Sequence, residues 1–307
     1  MNKLAVKPKH SRLSRASQPY YWAMVIPGLL MVLLFEYGPM FGIAMAFQNF
    51  VPAKGIWGSK WVGMNHFKSI LSIPDIGEIV RNTLIISFGK IFGTMLVALT
   101  FAIMLNEIRL RTLKKWTQTI VYLPHFLSWV IMAGIIRNIL GSDGLLNALL
   151  DALGLEPVNF FGSNKLFRPM VIGTGIWKEF GYSSIVYLAA LTSVDPGLHE
   201  AAAMDGASWW KRVWHITLPS ILPVVLVVAA MNVGRILNAG FSQVYNLYNP
   251  LVYETGDIID TYVYRVGLVD RRYSFGTAVG LTKSIIGLTL MVSMNEFCKK
   301  FADRRIF

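Results

Sequence analysis

One cysteine, Cys298, stands in 307 residues, so neither an intramolecular disulfide framework nor a cysteine-based metal site can form. The five histidines (His10, His66, His125, His199 and His215) are scattered, with no pair at metal-ligand spacing, and read most simply as surface or interfacial residues. Charge is scarce as well, at 15% of residues against roughly 25% in soluble domains. No H-E-x-x-H zinc site and no G-x-S-x-G nucleophile elbow occurs. Nor is there a G-x-x-x-x-G-K-[ST] phosphate loop; FGKIFG at 88–93 comes nearest and lacks both the spacing and the Ser or Thr. These absences argue against a disulfide scaffold, a metal centre, a self-contained nucleotide motor and the common membrane hydrolases.

What is present is apolar length. Hydrophobic residues make up 54% of the chain, and six windows hold the roughly 20 apolar residues that a membrane-crossing helix needs. They are 23–47, 81–105, 119–140, 170–191, 221–241 and 275–297. The fold class expected is therefore an all-α polytopic membrane protein with six transmembrane helices. A basic segment, 1–22, precedes the bundle and a basic tail, 298–307, follows it. Lys and Arg in the alternate connections divide 15 to 8, the larger set lying in 1–22, 106–118, 192–220 and 298–307. The denser set faces the cytoplasm, which puts both termini inside. The net charge of +12 is largely an insertion signal, and nucleic acid drops out as a partner.

That orientation places Glu200 to Pro223, EAAAMDGASWWKRVWHITLPSILP, on the inner face. Asp195-Pro196 offers an N-cap followed by proline in the first turn. A short helix through Glu200 and the alanines then stops at Gly206, which can take the left-handed conformation. Ser208 can cap a second short helix in the headgroup layer with Trp209, Val213 and Ile216 on one face. Three alanines let another surface approach the backbone, and Glu200 supplies one charge to fix register. Such an element suits docking, although alanines also simply favour helix.

The stretch resembles the EAA motif of the membrane subunits of ABC importers of the maltose-permease type. Glu200, Ala201, Ala202, Asp205, Gly206, Ala207, Ile216, Leu218, Pro219 and Pro223 carry the likeness. PMFGIAMAFQNF, KGIWGSKWVGMNHF, QTIVYLPHFLSWV, YNPLVYETGDIIDTYVYRVGL and YSFGTAVGLTKS extend it to the polysaccharide-type permease branch called the LplB family. The resemblance implies a type I ABC importer permease fold in a bacterial plasma membrane, non-catalytic in itself. It implies that the 195–223 loop docks into an ATPase subunit, with Glu200, Ala201, Ala202, Asp205, Gly206, Ala207 and Pro219 at the contact. The expected partners are an ATPase dimer that binds ATP and Mg, a second homologous permease, an external solute-binding lipoprotein and an oligosaccharide. No cofactor is expected on this chain. An ion-coupled secondary transporter is the alternative, but it leaves the inner loop without a purpose.

Ionisable residues inside spans are costly and tend to face a cavity or a partner. They are Glu36, Lys90, Arg137, Lys178, Glu179, Arg235, Lys283 and Glu296. A sugar path calls for aromatic faces beside a few well-placed polar groups. Trp177, Glu179 and Tyr182 in span four, Asn232, Arg235 and Asn238 on one face of span five, and Lys283 in span six meet that description. Interhelical pairing, for example of Glu179 with Arg235, fits the charges equally well, and packing or interface-belt roles fit Trp177 and Tyr182. The spacings GKIFG (89–93) and GTAVG (276–280) permit close helix crossing.

Overall fold

Two prolines shape the apolar helices before packing does. Proline has no N–H to donate to the preceding turn, so the helix ahead of it is short of a bond and can widen. In the computed structural model, which describes residues 12–302 and the side chains of 19–296, helix α1 (Arg12–Val32) opens into a π turn, Leu33–Tyr37, just before Pro39. There the Gly38 N–H reaches the Leu33 carbonyl. The same widening precedes Pro219, where Val213–Thr217 is a π turn and the Leu218 N–H bonds the Val213 carbonyl. Most of the 1–22 segment and all of the 298–307 tail lie outside the residues whose side chains are described.

A 3-10 stretch, Phe41–Phe47, leads from α1 to a two-residue strand, Gln48–Asn49, paired antiparallel with Lys60–Trp61. The larger helices follow: α2 (Ile76–Glu107), α3 (Arg111–Phe126), α4 (Trp129–Leu140), α5 (Asn164–Leu191), α6 (Pro196–Met204), α7 (Trp209–Val233), α8 (Phe241–Leu247) and α9 (Tyr273–Ala302). Five helical runs among the described residues are long and apolar enough to cross a membrane. α5 matches them in length but carries Lys165, Arg168, Lys178 and Glu179.

Two expected spans come out differently. The window 119–140 is not one helix: α3 ends at Phe126, and α4 begins at Trp129 under a Ser128 cap whose Oγ accepts from the Ile131 N–H. The window 221–241 begins too late and ends too late. α7 runs unbroken from Trp209, so the second inner helix is not a separate headgroup-layer piece, and it stops at Val233 with Gly234 as its cap. The chain then turns to Gly240 (φ +90°), which opens α8.

Packing follows side-chain size. Gly89 and Gly93 of α2 face Ile172 and Ile176 of α5, and a Cβ at either glycine would collide with an isoleucine side chain. Of the second small-residue spacing only Gly276 is used, against the backbone of Gly267, while Gly280 faces open space. One buried cluster joins Ile86, Ala133, Phe167, Val171, Val244 and Ile258; a second joins Ala98, Ala102, Tyr187, Leu191, Val213 and Ile221. α1 contributes little to either, and Tyr20 to Tyr37 is exposed along its length.

A polar staple holds the 253–265 connection to the helices. Asn82, fully buried on α2, donates through Nδ2 to the Glu254 and Asp257 carbonyls, both at 3.0 Å, and its Oδ1 accepts from Arg168. Asp257 in turn pairs with Arg265 and accepts from Thr261 Oγ1 at 2.7 Å. Burial works against the Arg265 charge, but the bond to Asp257 and its negative charge hold that guanidinium above its ordinary pKa. Asn82→Leu removes three bonds at once and strands their buried partners, each worth about 1–3 kcal/mol. A loss of about 3 kcal/mol or more is expected, read as a lower Tm of the purified protein; an unchanged Tm would show the staple to be idle.

Candidate functional site

Two places collect the polar residues that packing does not explain. The first is the elbow after α5. Asp195 Oδ1 accepts from the Gly197 N–H at 2.9 Å and Pro196 occupies the first turn, so α6 starts where the sequence says it must. It ends in a Schellman turn: the Gly206 N–H bonds the Ala203 carbonyl at 3.0 Å and the Ala207 N–H the Ala202 carbonyl at 2.9 Å. Gly206 sits at φ +76°, in the left-handed region. Glu200, Ala201, Asp205 and Gly206 are exposed, Ala202 and Ala207 are half-buried, and Met204 is 89% exposed. Among the described residues the carboxylates of Glu200 and Asp205 form neither a hydrogen bond nor an ion pair inside the chain. Pro219 lies further along α7, exposed, just past its π turn. The elbow is thus small-sided, fixed in shape and electrostatically unspent.

The second place is a cavity of about 480 Å³ walled by α2, α3, α5, α7 and the 234–240 turn. Both interrupted helices break at its edge, and each break is held by a lysine from a continuous helix. Lys178 Nζ on α5 donates to the His125 carbonyl at 2.6 Å, near the end of α3, and lies 5.5 Å from the Trp129 ring at the start of α4. Lys90 Nζ on α2 donates to the Ala239 carbonyl at 2.6 Å, next to Gly240. Gln243 ties the start of α8 to α5 by donating to the Val171 carbonyl at 2.7 Å and to Thr174 Oγ1 at 2.9 Å. A backbone break deprives carbonyls of their helical donors, and a buried orphan costs about 1–3 kcal/mol. These side chains supply the missing donors.

Glu179 is paired, though not with Arg235. Its carboxylate takes a bond from His125 Nδ1 at 2.8 Å and lies 3.6 Å from Lys178 Nζ. The His125 ring stacks flat on Tyr182, with centroids 3.9 Å apart and planes within 1°. Glu179, Tyr182, Asn232, Arg235 and Asn238 all line the cavity. Glu179 and Tyr182 do so from α5, but of the three residues expected on span five only Asn232 does so from a helix, because α7 has already ended at Arg235 and Asn238. The expected shared helical face is therefore a shared wall, built by a turn. Trp177 lines a separate apolar cavity of about 220 Å³ with Ile136 and Leu140. Lys283 sits elsewhere too, its Nζ 2.5 Å from Asp260 Oδ1, tying α9 to the 259–263 helix.

Residues 94–297 match the family model described as the binding-protein-dependent transport system inner membrane component. The chain belongs to that family. Of its curated relatives, this inner membrane component is 42% identical over 302 residues to the polygalacturonan/rhamnogalacturonan transport system permease protein YteP of Bacillus subtilis strain 168, covering 98% of this chain and 94% of that one. It is 41% identical over 289 residues to protein LplB of the same strain, covering 94% and 91%. Among solved structures it aligns with a chain of a bacterial ABC transporter involved in import of the acidic polysaccharide alginate, at TM-score 0.84 and 37% identity, over 95% of this chain and 99% of that chain. The alginate transporter in complex with its alginate pentasaccharide-bound periplasmic protein matches equally well, at TM-score 0.84 and 36% identity, over 96% and 100%.

In this transport component, sequence reading missed His125, Trp129 and Gln243 as cavity residues, and it named Lys90 as an ionisable residue inside a span without placing it on the sugar path. Lys90 carried a signal, being an ionisable residue well inside an apolar window. His125 read as surface or interfacial, because nothing in the sequence announces the α3–α4 break that turns it inward.

Proposed function

We propose that this chain is one transmembrane half of an ATP-driven importer that moves oligosaccharides across a bacterial plasma membrane. The elbow 195–208 is the element through which a separate ATPase pair acts, and the 480 Å³ cavity is part of the sugar path. In this reading the bundle crosses the membrane six times, counting α3 with α4 and counting α5, and both termini face the cytoplasm. A second permease covers the exposed apolar side of α1, ATP and Mg stay on the ATPase, and an external binding protein delivers the sugar.

The observation that carries this reading is the continuity of two helices between the two places. α5 leads straight into the elbow at its end, and its middle supplies Lys178, Glu179 and Tyr182 at or beside the cavity wall. α7 leaves the elbow and brings Asn232 to the same wall. An elbow displaced by a closing ATPase therefore moves the cavity wall through two rigid levers, so that nucleotide state and cavity shape bias one shared element. No observation favours an ion-coupled carrier.

The test is uptake of labelled oligosaccharide into proteoliposomes holding this chain, its partner permease and the ATPase, with binding protein outside and ATP inside. Uptake should require ATP and the ATPase. Sugar accumulation by the chain alone, or driven by an ion gradient without ATP, would overturn the proposal.

A further inference from the structure

Resting on the oligosaccharide-import reading, we infer that the cavity selects sugars that carry carboxylates, with Arg235 and Lys90 as the groups that recognise the acid. The argument begins with which charges on this wall are already spent. Among the described residues Glu179 is the only carboxylate on it, and it is occupied by His125 Nδ1 at 2.8 Å and by Lys178 at 3.6 Å. Lys178 is likewise used, by the His125 carbonyl and by that carboxylate.

The two remaining cations are in a different condition. Lys90 spends one of its three ammonium hydrogens on the Ala239 carbonyl, and no carboxylate among the described residues lies within ion-pair distance of it. Arg235 bonds nothing with its guanidinium among the described residues; only its backbone is engaged, its N–H with the Asn232 carbonyl at 3.0 Å and its carbonyl with the Asn238 N–H at 2.8 Å. Its five N–H donors in a rigid fork suit a bidentate carboxylate. Asn232 and Asn238 flank it on the same wall, and neither amide side chain forms a bond inside the chain among the described residues.

A cation at membrane depth with no counter-charge is expensive, and a cavity that keeps two of them is incomplete without an anion. A neutral sugar offers hydroxyls and leaves both charges uncompensated. A uronic-acid residue brings one carboxylate per ring, while its C–H face can lie on the stacked Tyr182 and His125 rings or on Trp129. The pairing of Glu179 matters for the same reason: left free, it would repel the acid that Arg235 attracts.

The experiment uses the complete reconstituted complex and two matched sets of oligosaccharides, several uronate oligomers and their carboxyl-reduced neutral forms. The wild type should carry acidic members in preference to their neutral counterparts. Arg235→Gln should lower the acidic-to-neutral uptake ratio at least tenfold, and Arg235→Lys should restore most of it in complexes purified in equal amount. A ratio unchanged by Arg235→Gln, or a wild type that carries both sets equally, overturns this inference and leaves the importer reading standing. If the complex turns over ATP but carries no member of either set, the oligosaccharide reading itself fails, and this inference with it.

Discussion

Gly206→Pro is expected to abolish ATP-driven uptake in a complex that still assembles. The turn at Gly206 combines a left-handed φ of +76° with an N–H bonded to the Ala203 carbonyl. Proline can satisfy neither, because its ring fixes φ near −65° and it has no N–H. The misfit costs about 3 kcal/mol or more locally, enough to unseat α6 while leaving the buried clusters intact, since the elbow contributes no side chain to them before Trp209. Uptake should fall at least a hundredfold. Gly206→Asn, which tolerates the left-handed region, should keep at least half of it. Glu200→Ala is milder, because it removes one unpartnered charge and no backbone feature, and should cost about tenfold, an electrostatic contact of about 1.4 kcal/mol. Uptake and ATP hydrolysis measured together separate uncoupling from misassembly; wild-type uptake by Gly206→Pro would leave the elbow without a role.

Lys178→Met should be nearly as damaging, for a reason at the other end of the lever. Lys178 is 4% exposed and serves three groups: the His125 carbonyl, the Glu179 carboxylate and the Trp129 ring. Methionine retains the stem's packing and removes the charge. An orphaned carbonyl then remains at the α3–α4 break, which costs about 1–3 kcal/mol when buried, and Glu179, 38% exposed, is left with His125 as its partner. The break should lose its fixed shape and uptake should drop at least thirtyfold, while the elbow sequence, and with it binding of the ATPase, is unaltered. Co-purification of the ATPase at wild-type stoichiometry together with lost uptake is the expected pair of results. Full uptake by Lys178→Met would show that the break needs no cap.

How much of this was legible in the sequence varied with the kind of signal. The elbow could be read almost atom by atom. Asp195-Pro196 and Asp205-Gly206 are local chemistry, and the cap and the Schellman turn depend on residues within a few positions of each other. Membrane-crossing segments were legible as apolar length but not as shape. A window average sees the same hydropathy whether 119–140 is one helix or two, and Gly234 alone does not distinguish a glycine inside a helix from one that ends it. The breaks are fixed by donors from far along the chain, with Lys178 reaching His125 and Lys90 reaching Ala239 across 149 positions. Hence Arg235 and Asn238 could be assigned to the cavity for an incorrect reason, a helical face that stops at Val233. Trp177 and Lys283 were placed with them by composition, and distance separates them: one faces an apolar cavity, the other an aspartate of the 259–263 helix.

The most direct measurement is a cross-link from the tip of the elbow. Met204 is 89% exposed and bounds the Schellman turn, and Cys298 is the one native thiol to remove. Met204→Cys in a Cys298→Ser background, carrying a photoactivatable thiol reagent in the assembled complex, should form a covalent adduct with the ATPase subunit. An adduct with the external binding protein, or none with the ATPase in a complex that still imports sugar, would contradict the account.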